Sequence, residues 1–102
     1  MLDVGHLDIQ HQLEILELLV RLNRERGLAV LATMHDLNLA SLYSRQLILL
    51  DRGRVITSGP PSEVISESRL ADVFHAGVRV THHPVTGTPL VVVLRGVATV
   101  PA

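Results

Sequence analysis

The sequence predicts a mixed α/β fold with an incomplete sheet. A long amphipathic helix is followed at once by a continuously apolar segment, which is typical of a strand buried on both faces of a sheet. Shorter helices and two candidate hairpins come after it. A buried strand normally has strands beside it and helices over both faces, and only one strand has that character. We therefore expect most of that sheet to be formed by residues other than these.

The first helix is predicted over Ile9 to Arg26. Asp8 is a favourable N-cap, and Gly27 supplies the left-handed residue that commonly ends a helix. Its apolar residues recur at helical spacing and form one stripe, made of Ile9, Leu13, Leu16 and Val20 and widened by Ile15, Leu19 and Leu22.

The apolar segment Leu28 to Thr33 is the predicted buried strand. A short helix is expected from Leu37 to Ser44, with Asp36 as its N-cap. Strands are then expected over Gln46 to Leu50 and Arg54 to Ser58, joined by a tight turn at Asp51-Arg52-Gly53.

Two short helices and a second hairpin complete the prediction. Pro61 can begin a helix that reaches Ile65, because proline fits the first helical position. Ser68 is expected to cap a helix from Arg69 to Phe74. The second hairpin is expected to pair Val78 to His82 with Leu90 to Leu94.

Composition excludes several functional classes. The 102 residues are 47% hydrophobic but only 2% aromatic, so aliphatic side chains must form the core and base-stacking platforms are not expected. The formal net charge of -1 argues against nucleic acid bound through its phosphates. With no cysteine, disulfides and thiolate metal sites are impossible.

The apolar runs are also informative about compartment. The longest, such as Leu90 to Leu94, are far shorter than the roughly 20 residues of a membrane-spanning helix. The N-terminus lacks the pattern of a secretory signal. We expect a cytosolic protein.

His35 is the leading candidate for a functional side chain. It follows the predicted buried strand and precedes a helix, and in open α/β sheets ligands bind outside the carboxyl ends of the strands. A histidine held there can reach a bound group. The alternative is a turn histidine that contacts only water, and position alone does not separate the two.

The order of these elements resembles the end of an ABC transporter nucleotide-binding domain. In that family a Ser-x-Leu-Asp segment, the D-loop, precedes a helix and a strand, and the switch histidine of the H-loop follows. Gly5-His6-Leu7-Asp8 and Met34-His35-Asp36-Leu37 lie in those places. The strand-turn-strand Leu47 to Val55 and the segment Ser58 to Ile65 also match. Met34 to Ala40 and His83 to Pro89 look most like the importers for iron-siderophore, haem and vitamin B12.

The resemblance implies a fold and a set of partners. The fold would be the C-terminal part of a P-loop NTPase domain, with residues 1–58 belonging to the ATPase core and residues 59–102 forming C-terminal helices and a hairpin appendage. The complete family member binds ATP and Mg²⁺, pairs with a second ATPase subunit and a transmembrane permease, and lies in the cytoplasm against the membrane. His35 would contact the γ-phosphate and help position the attacking water, and Asp8 would lie on the D-loop facing the partner's ATP site.

Several motifs of that family are missing from these residues. The sequence contains no phosphate-binding Gly-x-x-x-x-Gly-Lys-Ser/Thr segment, no lysine, no Leu-Ser-Gly-Gly-Gln signature and no glutamine loop. Asp3 is not assigned to magnesium, because its spacing to the D-loop is too short and Val4 stands where a carboxylate is needed. Gly5 replaces the D-loop serine. We therefore expect this chain alone neither to bind ATP tightly nor to hydrolyse it.

Other interpretations use the same residues. Six histidines invite a metal site, but no three ligands converge by spacing, and structural zinc usually needs four. His35-Asp36 also resembles the dyad of metal-dependent phosphohydrolases, although the strand before it argues against their all-helical setting. A non-enzymatic, self-associating or regulatory module is the main alternative, because an orphaned apolar strand and helix face promote association. We expect a homo-oligomer.

Overall fold

The computed structural model describes residues 2–4, 6–75 and 77–94. Within these residues the strands pair two by two, with β1 and β2 parallel and the other two pairs forming antiparallel hairpins. The predicted mixture of helices and short sheets is confirmed. Among the described helices, none has the length and apolar character needed to cross a membrane. The elements in chain order are β1 Leu2–Asp3, α1 Ile9–Arg26, β2 Ala32–Thr33, α2 Leu37–Tyr43, β3 Leu47–Asp51, β4 Arg54–Gly59, α3 Pro61–Val64, α4 Glu67–Phe74, β5 Val78–His82 and β6 Pro89–Val93.

Helix α1 begins and ends where its capping residues predict. The Asp8 side chain accepts a hydrogen bond from the backbone N–H of His11, which satisfies one free donor of the first turn. Gly27 adopts φ 66°, and its N–H donates to the carbonyl of Asn23 over 3.0 Å. Within the helix only Leu16 is buried, whereas Ile9 is 58% exposed. Most of the other residues of the apolar stripe are half-buried, so the described residues cover the stripe only in part.

The predicted strand Leu28 to Thr33 is wrong in its extent and in its burial. Only Ala32–Thr33 forms a strand, and the preceding Leu28, Val30 and Leu31 are exposed. The reason is a lack of neighbouring strands in the described part of the chain, where β2 pairs with just the two residues of β1, Leu2 opposite Ala32 and Asp3 opposite Thr33. An apolar run becomes a buried strand only where other strands and helices cover it.

The helix and hairpin that follow agree with prediction to within a residue. The Asp36 carboxylate caps α2, accepting from the N–H groups of Asn38 at 2.9 Å and Leu39 at 3.1 Å. In the β3–β4 turn, Arg52 and Gly53 have φ of 51° and 75°, as a two-residue hairpin of matching twist requires. The register shifts between Leu49 and Leu50, which marks a bulge.

Helix α4 starts earlier than predicted. Ser66, not Ser68, is its N-cap, and the Ser66 hydroxyl accepts from the N–H of Arg69 over 3.2 Å. This start lets the Arg69 guanidinium reach back to the carbonyls of Glu63 and Val64, at 2.6 and 3.0 Å, at the end of α3. It also places Leu70, only 1% exposed, in the core.

The described core is small, and its residues are spread along the chain. Helix α3 packs on the β3–β4 hairpin, α4 on β5, and α2 on β6. The second hairpin is confirmed with its return strand one residue earlier than predicted, and the N–H of Leu94 bonds to the carbonyl of Gly77 at 2.9 Å. The buried apolar residues are Val4, Leu16, Leu39, Ala40, Leu49, Val64, Ile65 and Leu70.

Candidate functional site

The edge of the small parallel sheet brings His35 and the end of β1 together. Because β1 and β2 run parallel, the residues that follow them, Val4 after β1 and Met34-His35 after β2, emerge at the same edge. An open cleft of about 420 Å³ lies there. The residues that line it are Val4, Ile9, Gln12, Met34, His35 and Asp36.

The His35 imidazole is exposed at this cleft, and its neighbours limit what the cleft can do. Asp36 beside it is engaged in capping α2. Val4, which follows Asp3, is 3% exposed and contributes a buried apolar wall. Hence His35 places an exposed imidazole at the cleft, and Val4 offers no carboxylate beside it.

The segment before α1 turns tightly and ends in a well-bound carboxylate. The N–H of Leu7 donates to the carbonyl of Val4 over 3.2 Å, and the Gln12 side chain donates to the Leu7 carbonyl over 2.8 Å. His6 and Asp8 are exposed, and Leu7 is half-buried. Gly5, also predicted to be part of the D-loop, lies outside the described residues.

Asp8 makes two contacts with one residue. The Asp8 Oδ1 lies 2.9 Å from the backbone nitrogen of His11 and 2.8 Å from the imidazole Nδ1 of His11. These hydrogen bonds, the backbone one foremost, hold the pKa of Asp8 below its ordinary value of 3.8. The predicted capping role of Asp8 is therefore observed.

Two residues of this region were missed by sequence reasoning. Gln12 lines the cleft and fixes the Leu7 carbonyl, and the only signal for it is its position four residues after Asp8, on the same side of the first turn. Asn38 bonds to a strand far away in sequence, for which no local pattern exists.

Metal binding finds no support in the described ranges. Within residues 2–4, 6–75 and 77–94, no three histidine or acidic side chains are grouped so that they could hold an ion.

The chain is similar to several ATP-binding proteins of iron and haem uptake. It is 42% identical over 88 residues to the ferric enterobactin transport ATP-binding protein of Escherichia coli, covering 86% of the chain and 32% of that protein. It is 44% identical over 85 residues to a hemin import ATP-binding protein of Rhodococcus jostii, covering 83% of the chain and 29% of that protein. It is 42% identical over 85 residues to the iron(3+)-hydroxamate import ATP-binding protein of Bacillus subtilis, covering 83% of the chain and 32% of that protein.

The chain belongs to the ATP-binding proteins of ABC importers. No protein-family model matches it. The predicted family is confirmed, and its siderophore and haem branch is the one to which these relatives belong. The chain spans about a third of the length of the curated relatives it matches.

The fold of the relatives accounts for the short sheets of this chain. The relatives are ABC ATPases, which have a P-loop NTPase fold, and the short sheets of the described residues agree with a part of such a domain. The exposed Leu28 to Leu31 segment lies directly before β2 on the chain.

Proposed function

We propose that this chain is the switch-histidine part of the ATP-hydrolysing subunit of an ABC importer for iron-siderophore or haem compounds. The observation that carries the proposal is the position of His35. It is exposed in a cleft at the carboxyl edge of parallel strands, immediately before a capped helix. Relatives that align with most of the chain are named for ferric enterobactin, hemin and iron(3+)-hydroxamate transport.

In this role His35 would hydrogen-bond the terminal phosphate of ATP and the attacking water. Phosphoryl transfer depends mainly on positioning and on stabilising negative charge, and an imidazole can donate to phosphate with one nitrogen and accept from water with the other. The Asp36 cap binds the backbone N–H of Asn38, three residues beyond His35, which limits the freedom of the loop.

Gly5, His6, Leu7 and Asp8 would form the D-loop. This proposal is compatible with the capping geometry, because Asp8 uses Oδ1 for both contacts with His11. A segment held in this way could transmit the state of a partner subunit's nucleotide to α1.

Of the side chains that would contact ATP, this sequence carries only His35. A nucleotide site needs a glycine-rich loop and a lysine for the phosphates and carboxylates for Mg²⁺, and this sequence has no lysine. The buried Val4 occupies the edge at which a carboxylate would be useful. We therefore propose that the chain alone neither binds ATP tightly nor hydrolyses it.

Nucleotide titration tests the last point. Calorimetry of the chain with ATP and Mg²⁺ should give no measurable heat of binding beyond dilution. Tight, magnesium-dependent binding would contradict the proposal.

A chimera tests the role of His35. Residues 9–94 would replace the homologous stretch of the Escherichia coli ferric enterobactin transport ATP-binding protein, and growth on ferric enterobactin would be measured. We expect the chimera to support growth and its His35→Ala variant to lose it, with His75→Ala, an exposed histidine after α4, as the matched control. Equal growth of the His35→Ala and His75→Ala variants would show that His35 is not needed for transport.

Partners and location follow from the same proposal. The assembled protein would lie at the cytoplasmic side of the membrane, in contact with a transmembrane permease and a second ATPase subunit. No nucleic-acid partner is proposed, since the charge is nearly balanced.

Self-association is the second candidate function. It is favoured by large apolar side chains that the described residues leave uncovered, including Leu28, Leu31, Ile48, Leu50 and Val55, each at least 48% exposed. Sedimentation of the chain should show dimers or larger species. A folded monomer at high concentration would rule this out.

A further inference from the structure

Asn38 joins the helix after His35 to the C-terminal hairpin. Its side-chain Nδ2 donates to the carbonyl of Val91 over 3.1 Å, and its Oδ1 accepts from the N–H of the same residue over 2.6 Å. The two residues are 53 positions apart. One amide side chain thus satisfies both backbone groups of a strand residue, as a neighbouring strand would.

The contact lies at the outer edge of the β5–β6 hairpin. Val91 stands opposite Val80 in the antiparallel register, yet its N–H and carbonyl are both turned to Asn38. Both hydrogen bonds are partly buried, and the next residues of α2, Leu39 and Ala40, are buried. Separating the hairpin from α2 would therefore leave a polar side chain and two strand groups without their partners, which is costly in a partly buried place.

A short chain of contacts links this joint to the cleft. The Asn38 backbone N–H is bound by the Asp36 carboxylate, while the Asn38 side chain holds Val91. Asp36 is adjacent to His35 in sequence, and both line the cleft. The first turn of α2 is consequently fixed between the cap on one side and the hairpin on the other.

We propose that Asn38 is a positioning residue that makes the orientation of His35 depend on the docking of the β5–β6 hairpin. The hairpin is then a control element: a partner that draws it away from α2 loosens the Asp36 cap and the His35 loop with it. By linkage, anything that fixes His35 in the cleft strengthens hairpin docking. The bearing on ATP hydrolysis rests on the proposed function, but the coupling between hairpin and histidine does not.

The test uses the complete isotope-labelled chain and nuclear magnetic resonance, without nucleotide. Two readouts are recorded, the amide hydrogen-exchange rate of Val91 and the imidazole signals of His35. For Asn38→Ala we expect Val91 exchange to accelerate about ten-fold, which corresponds to the loss of a net hydrogen-bond contribution, and the His35 signals to move. Asn23→Ala is the matched control, because Asn23 Nδ2 also donates to a backbone carbonyl, that of Leu28, at 2.6 Å.

Asn38→Asp keeps the experiment decisive if the alanine variant does not fold. The aspartate retains an acceptor for the Val91 N–H but loses the donor and places an oxygen against the Val91 carbonyl, so both readouts should change in the same direction. Faster Val91 exchange with unmoved His35 signals would overturn the proposal, as would unchanged exchange. Either result is independent of whether His35 proves necessary in the growth assay.

Discussion

The phenol of Tyr43 donates a hydrogen bond of 2.7 Å to Oε1 of Glu17, joining the last residue of α2 to the middle of α1. Burial of the phenol, and then the hydrogen bond and negative charge of Glu17, raise the pKa of Tyr43 above its ordinary value of 10.0. The chain contains one tyrosine and no tryptophan. The ultraviolet absorbance of the phenolate therefore reports on this contact alone.

Alkaline titration should show the raised pKa of Tyr43 directly. A pKa raised in the folded state means that the neutral phenol stabilises the fold fully below pH 10.0, and that this contribution is lost as the pH rises through the higher folded pKa. In Glu17→Gln the pKa should fall but stay above 10.0, because burial is the largest cause. A wild-type titration at or below 10.0 would show that the contact does not form in solution.

Asp8 predicts the opposite pH dependence, at the acid end. Its pKa is lowered below 3.8 by its hydrogen bonds to His11, so its stabilising effect is present above pH 3.8 and is lost as the pH falls through the lower folded pKa. Far-ultraviolet circular dichroism should show helix content decreasing on acidification in that range. Asp8→Asn keeps a capping oxygen without a titrating group, so this acid step should be smaller in the variant.

Ser41 lies in α2 with 1% of its surface exposed, and its hydroxyl has no hydrogen-bond partner among the described residues. Because an unpaired buried hydroxyl is costly, Ser41→Ala should raise the free energy of unfolding by about 1 kcal/mol. Ser41→Val should lower it by about 1–3 kcal/mol through overpacking. Urea denaturation measures both.

The exposed Ser68 of α4 provides the control for that experiment. Ser68→Ala removes a hydroxyl from a helix without changing a buried site, so it should gain only a few tenths of a kcal/mol from helix propensity. If Ser41→Ala raised the free energy of unfolding no more than Ser68→Ala does, the Ser41 hydroxyl would have to be hydrogen-bonded to water.

His83 shapes the loop of the second hairpin. Its Nδ1 accepts hydrogen bonds from the N–H groups of Val85 at 3.1 Å and Thr86 at 3.2 Å. His83→Leu removes both and should lower the free energy of unfolding by about 1–2 kcal/mol. His83→Asn offers a similarly placed oxygen and should lose about half as much or less. Thermal unfolding of the two variants measures these losses of stability. Equal losses would show that the packing of the His83 ring matters rather than the hydrogen bonds to its nitrogen.

Locally encoded features were predictable from the sequence. Asp8, Gly27 and Asp36 sit at helix ends because a side-chain oxygen or a left-handed glycine satisfies groups within a few residues. The Arg52-Gly53 turn follows from the same short-range chemistry. The predicted cap at Ser68 was wrong: with the cap at Ser66, Leu70 is buried and Arg69 reaches the end of α3, and both contacts depend on residues outside the helix.

Features that depend on distant residues were not predictable. Burial of the Leu28 to Leu31 segment depends on strands that the described residues do not form, so an apolar run was mistaken for a buried one. The contact between Asn38 and Val91 has no sequence periodicity to reveal it. For the site, its place after the apolar segment indicated His35, and resemblance added the D-loop that contains Asp8. The roles of both residues toward nucleotide stay predictions.

The division of the strands into separate pairs has a consequence for kinetics. Helix α1 and the two hairpins involve neighbours in sequence, which close small loops at low entropic cost and form fast. The β1–β2 pairing and the junction between Asn38 and Val91 span long intervening segments. We expect these junctions to form last and to set the folding rate, so pulsed hydrogen exchange should protect β3 and β4 before the amide of Val91.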